Sequence, residues 1–155
     1  MTISTSAGIK FSIGPAQTVT EFAGAAAAIA ALSAVGITYV PVGEIEDAGE
    51  IGDEAATQNF TALGNRRVRK VKTTFDAGTQ SLTLGLDRAD AGQIAMKAAL
   101  KSDDNYAFKI AYPGGEVDYY IGQVTIFRDQ IGSADAIRKA TVAIAINSAV
   151  FTAAA

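Results

Sequence analysis

Apolar positions recur along the chain in two rhythms, and the rhythms predict the elements. Tyr106, Phe108, Ile110 and Tyr112 alternate with polar or small residues, and so do Val117, Tyr119 and Ile121. A period of two belongs to a strand, and Pro113-Gly114-Gly115 between the runs reads as a turn, so 106–127 predicts a hairpin. After Gly122 the apolar set moves to Val124 and Ile126, a change of parity that a β-bulge at Gly122 would produce. The same rhythm predicts a short strand over 9–13, stopped by Gly14-Pro15, and another over 37–46. Pro41 places that second strand at an edge or a bulge, because proline has no ladder donor. "RRVRKVKTTF" (66–75) and "TQSLTLGLD" (79–87) flank "DAG", a second hairpin signal with Leu82, Leu84 and Leu86 on one face. A last strand runs over 137–151, with Val142, Ile144 and Ile146 on one side and small residues on the other.

The helical rhythm appears twice. Thr20 can cap a small-residue helix through about residue 33, ended by Gly36. Asp87 can cap a second over about 88–101, with Asp90 near its positive end. Its expected buried stripe is Ala91, Ile94, Ala95 and Ala98. Residues 47–65 read as a long loop, which in a compact domain is usually functional or disordered. Residues 1–8 read as a flexible arm. The fold class is mainly β: an antiparallel β-sandwich or partly rolled barrel with one or two flanking helices, in a single domain over 1–155.

Composition narrows the function. The 155 residues include no Cys, His or Trp. Thiolate nucleophiles, Ser-His-Asp arrangements and the commonest metal ligand are thereby excluded, which leaves carboxylates, Lys and Tyr for any chemistry. Tyr119, Tyr120, Asp118 and Glu116 cluster on one hairpin, but an alternating strand does that without catalysis. Phosphate-loop, dinucleotide and calcium-loop spacings are absent, so neither cofactor nor metal is expected. The apolar run 22–35 is shorter than the ~20 residues a spanning helix needs.

Charge is the most informative feature. Thirteen basic residues against sixteen acidic ones give a net charge of −3. Five of the thirteen (Arg66, Arg67, Arg69, Lys70, Lys72) fall within nine positions. Just upstream lie Glu44, Glu46, Asp47, Glu50, Asp53 and Glu54. A phosphate grip would be salt-dependent, but few aromatics interleave for stacking bases, and an acidic block lies close by. A solvated strand face is the second reading. The third is pairing between copies, a self-complementary head-to-tail device that generates rings or open filaments.

The stretch 42–100, followed by "YAFKIAYPGGEVDYYIGQVTIF", resembles the major tail tube proteins of long-tailed phages with non-contractile tails and of related gene transfer agents. The resemblance rests on the order of features over about 37–150. A "VGEI" strand opens an acidic loop. A basic strand leads through "DAG" to a Thr/Leu strand, and a "DRADAGQ" helix start precedes the "YPGGEVDYY" hairpin. It implies a structural virion protein without an active site. Six subunits would form a ring around an open lumen, and rings would stack into a tube that conducts DNA into the bacterium without specific binding. Partners would be other copies, a tape-measure protein, a tail terminator and baseplate or distal tail proteins. Assembly would take place in the host cytoplasm. By position, 47–65 would reach a neighbouring subunit or ring. The expected inter-subunit residues are Glu44, Glu46, Asp47, Glu50, Asp53, Glu54, Phe60, Arg66, Arg67, Arg69, Lys70 and Lys72. A terminator, baseplate ring or secretion-tube protein of the same fold is the near alternative. A stand-alone β-sandwich binding module is the distant one, and the lack of Trp platforms counts against it.

Overall fold

The computed structural model describes residues 3–155. Its first half holds β1 (Lys10–Gln17), α1 (Ala25–Leu32), β2 (Val40–Val42), β3 (Ile45–Asp47), β4 (Glu54–Phe60) and β5 (Arg69–Asp76). Its second half holds β6 (Thr79–Gly85), α2 (Ala91–Leu100), β7 (Asn105–Ala111), β8 (Val117–Gln130), β9 (Lys139–Ile146) and β10 (Phe151–Ala153). One antiparallel sheet runs in the order β2-β1-β7-β8-β9-β6-β3, with β10 added on β8; β4 and β5 form a separate pair.

The connection between the sheet's two ends shows how it closes. β2 and β3 stand at opposite ends of that order, yet only Gly43 and Glu44 separate them. Three Cα steps span at most about 11 Å, so the two edges must meet and the sheet must roll. Glu44 makes the corner at φ 58, and its carbonyl accepts from Gly85 N–H at 2.7 Å. The rolled form of the expected fold is therefore the one adopted, in place of two stacked sheets.

α2 seals the roll. The Asp90 carboxylate caps the helix by accepting from Gln93 N–H at 2.9 Å, and it also accepts from Gly43 N–H at 3.3 Å. The Gln93 side-chain amide donates to Gly85 O at 2.8 Å and to Gly43 O at 3.4 Å. Gly92 lets the helix lie directly on β2, because a Cβ there would collide with the Pro41 carbonyl. Beneath sit Phe11, Phe108 and Tyr120 in a stacked series, with centroids 5.7 and 5.2 Å apart. Leu82, Leu84, Val142, Ile144 and Met96 complete this core. The phenol of Tyr120 bonds to buried Gln80, whose amide donates to Ala48 O at 2.7 Å. A smaller core on the opposite face packs Leu32 of α1 against Ala107, Tyr119 and Ile121.

Several expectations shift. β1 is not stopped by Gly14-Pro15; it continues through a register shift between Ile13 and Ala16, where the missing proline donor does no harm. The strand expected over 37–46 breaks at the Glu44 corner into β2 and β3, and Pro41 does lie on an edge strand. α1 starts at Ala25 after Gly24, and Thr20 is not its cap. α2 begins after Asp90, not Asp87, and buries Gly92, Gln93, Met96 and Ala99 while Ile94 is exposed. With small residues on every side, that helix carried no strong periodic signal. The bulge in β8 lies between Val124 and Ile126, not at Gly122. The earlier change of parity arises because both faces of β8 are buried, Tyr120 and Val124 in one core and Tyr119 and Ile121 in the other. The expected strand over 137–151 is interrupted: β9 and β10 lie along the same edge of β8, with 147–150 looping out between them. "DAG" does not join a hairpin, because β5 pairs with β4 while β6 pairs with β3 and β9. The expected loop 47–65 contains β4. Of the expected N-terminal arm, residues 1 and 2 lie outside the described residues, and a turn closes with Ile9 N–H on Ser6 O at 3.3 Å. No described helix is long and apolar enough to cross a membrane.

Candidate assembly interface

β4 and β5 form an arm, a two-stranded hairpin that pairs with no other strand among the described residues. Every residue of β5 is exposed. Its register places Phe60 opposite Arg69, Gln58 opposite Val71, Asn59 opposite Lys70 and Thr57 opposite Lys72. Opposed residues share a face. One face therefore carries Phe60, Arg69 and Val71, and the other carries the two lysines with Asn59 and Thr57. A register shift between Ala55 and Thr57 then brings Phe75 onto the lysine face. Phe60, Val71 and Phe75 are 57%, 55% and 69% exposed. At the tip a turn closes with Asn65 N–H on Ala62 O, and the Asn65 side chain accepts from Arg67 N–H at 3.0 Å. That turn presents Leu63, fully exposed, beside Arg66 and Arg67.

The root of the arm has the opposite sign. Glu54 lies directly opposite Asp76, a like-charge pair that costs stability in an isolated hairpin. Glu50 and Asp53 line the same concavity of about 360 Å³. A larger cleft of about 660 Å³ adjoins it, with Glu21, Asp53 and Asp76 at its rim and Phe22, Phe75 and Phe151 among its walls.

The expected inter-subunit residues thus fall into three groups. Arg66, Arg67, Arg69, Lys70 and Lys72 come together on the arm with Phe60, and none has a carboxylate within ion-pair distance among the described residues. Glu50, Asp53 and Glu54 gather at the root. Glu44, Glu46 and Asp47 lie apart, at the corner and on β3. Glu46 is already paired with Lys139 at 2.6 Å, and Asp47 accepts from Gly49 N–H at 2.8 Å. Leu63, Val71, Phe75 and Asp76 also lie on the arm's surface and are not among the expected inter-subunit residues. Alternating charge and small apolar residues in "RVRKVKTTFD" was the available signal. Among the described residues, no group of three or more acids is placed to hold a metal ion.

Comparison with known proteins supports the structural reading. The family model of the lambda phage tail tube protein matches residues 23–152. A chain of the native gene transfer agent virion superposes with a TM-score of 0.61 at 16% identity, over 75% of this chain and 89% of its own. The SPP1 tail tube superposes with a TM-score of 0.60 at 10% identity, over 95% and 77%. A chain of the anti-feeding prophage baseplate reaches 0.64 at 9% identity, over 99% and 97%. A comparison with curated protein sequences finds no significant match. The family model spans most of the chain and the solved structures share its fold: the chain belongs to the lambda phage tail tube protein family and has a structural role in a tail tube.

Proposed function

We propose that this chain is the ring-forming subunit of a non-contractile tail. Six copies close a ring, and rings stack into a tube through which DNA passes into a bacterial host. The whole of 1–155 acts as one tail tube domain, and the segment 47–65, with β4 in it, reaches a neighbouring subunit. The chain carries no catalytic role in this reading. Its partners are further copies, a tape-measure protein, a terminator and baseplate or distal tail proteins, met in the host cytoplasm during assembly. The carrying observation is the arm: a hairpin exposed on both faces, with apolar side chains and with cations that pair with no carboxylate among the described residues. A lone hairpin is marginally stable in water, so an arm of this kind supports a contact outside its own chain. A baseplate or terminator ring is the second reading, favoured by full-length likeness to a chain of the anti-feeding prophage baseplate.

Negative-stain microscopy of the purified protein at low and high salt, with its solution mass, tests both. Stacked rings that weaken with salt support the tube and the charge pairing. Single rings that never stack favour the terminator or baseplate reading. A chain that stays monomeric as its concentration is raised, and that does not enter tails in an assembly mixture, overturns the proposal.

A further inference from the structure

We infer that the acid-rimmed cleft at the root of the arm receives the arm tip of a second copy, and that this tip-in-cleft contact links one layer of the stack to the next. The inference rests on the tube reading and deepens it by naming the contact. The two surfaces match in kind. The tip holds an exposed apolar knob, Leu63, with exposed Arg66 and Arg67 following in the same turn region. The cleft is walled by Phe22, Phe75 and Phe151 and rimmed by Glu21, Asp53 and Asp76. Both sides are held in place before they meet. Asn65 fixes the tip turn through Arg67 N–H. Asp76 is held by Gly78 N–H at 2.8 Å, and Phe22 packs edge-on against Phe151 at 5.7 Å.

The occupant is another chain for a geometric reason. Cross-strand pairing runs unbroken in direction from Glu54–Asp76 to Phe60–Arg69. Six residue steps at about 3.3 Å hold the tip roughly 20 Å from its own root. A tip cannot bend back into its own cleft without breaking that ladder. A contact between two different patches of one chain is heterologous, so it repeats from copy to copy without closing on a pair. Clustered opposite charge fixes which patch meets which and suppresses tip-to-tip contact.

The chain contains no cysteine, so a disulfide can report the contact directly. In the G64C/A149C variant, which keeps Leu63 and has both positions exposed, mild oxidation is expected to convert assembled protein into a ladder of covalent oligomers. Neither single variant should give one. A second experiment keeps the test independent of local sulfur geometry. R66E/R67E and D53K/D76K should each fail to stack alone. Mixed, they should stack again in alternation, because the intact tip meets the intact cleft at one boundary and the reversed tip meets the reversed cleft at the next. If both variants stack like the unsubstituted chain and no ladder forms, the docking site is overturned while the tube reading stands. If the tip variant stacks normally but loses DNA retention, the tip's partner is nucleic acid and the docking site is again overturned. If the unsubstituted chain never stacks, the tube reading falls and the docking site falls with it.

Discussion

Two hairpins of this chain end in opposite environments. β7–β8 turns at Pro113-Gly114-Gly115 and is buried on both faces, by the larger core on one side and by α1 on the other. β4–β5 turns at Ala62–Asn65 and is covered on neither face. The inner hairpin spends its apolar residues within the chain. The outer one keeps Phe60, Leu63, Val71 and Phe75 in water beside five cations. An ordinary single-chain protein gains nothing from such an arm. Its composition makes sense when the stabilising contacts belong to the assembly.

Substitutions should separate the two hairpins by stability. Phe108 is fully buried and stacked between Phe11 and Tyr120. Phe108→Ala should lower unfolding stability by about 3–5 kcal/mol, read from denaturant melts of the unassembled chain. A smaller loss there would mean that the inner hairpin is less central than its burial indicates.

Alkali should strike the same region. Burial, then the hydrogen bond to Asp118 and the nearby carboxylate charges, push the Tyr112 phenol up to about 12. Burial also raises Tyr39, Tyr119 and Tyr120. The folded chain therefore holds these protons more tightly than the unfolded one, whose tyrosines titrate near 10. The share that Tyr112 contributes is complete below about pH 10 and is lost as pH rises through about 12. Melts over that range should fall steeply, and Tyr112→Phe should flatten part of the fall. Equal alkaline loosening of the arm, seen by hydrogen exchange, would erase the contrast.

Gly92→Ala sharpens it further. Helix propensity alone favours alanine by about 1 kcal/mol, but the new methyl meets the Pro41 carbonyl and Val42 backbone, which cannot swing away. A net loss of about 1–2 kcal/mol is expected in the same melts.

The smallest effect on folding should come from the arm. Leu63→Ala or Phe60→Ala should shift the unassembled chain by less than about 0.5 kcal/mol, as exposed sites usually do. Each should nevertheless cut stacking in sedimentation, because burying one such side chain against a partner contributes about 1.5–3 kcal/mol per contact. A large drop in monomer stability would show that the arm packs on its own body after all.

The same contrast explains which parts of the molecule were legible in the sequence. β7–β8 could be read because strong alternation and a Pro-Gly-Gly turn agree. β6 and β9 were legible from Leu82, Leu84, Val142, Ile144 and Ile146. β4 was not, because "EAATQNF" buries nothing and so shows no alternation. "DAG" misled because Gly78, at φ 69, turns the chain from one sheet into another without pairing its flanks. The corner at Glu44 was also hidden, since a left-handed glutamate carries no compositional mark. In the candidate interface the charges were plain and their destinations were not. Arg66 and Lys70 find no carboxylate in their own described chain, whereas Glu46 finds Lys139, distant in sequence and on the far side of β6.

One consequence follows from the distance between tip and root. A polymer joined tip to cleft has chemically unlike ends, one displaying bare arms and the other vacant clefts. Growth is then polar, and each end can be governed by a different protein. A starter has only to offer a substitute cleft, and a stopper has only to offer a substitute tip. Neither must imitate the whole subunit, so start and stop can evolve separately while the repeating link stays unchanged.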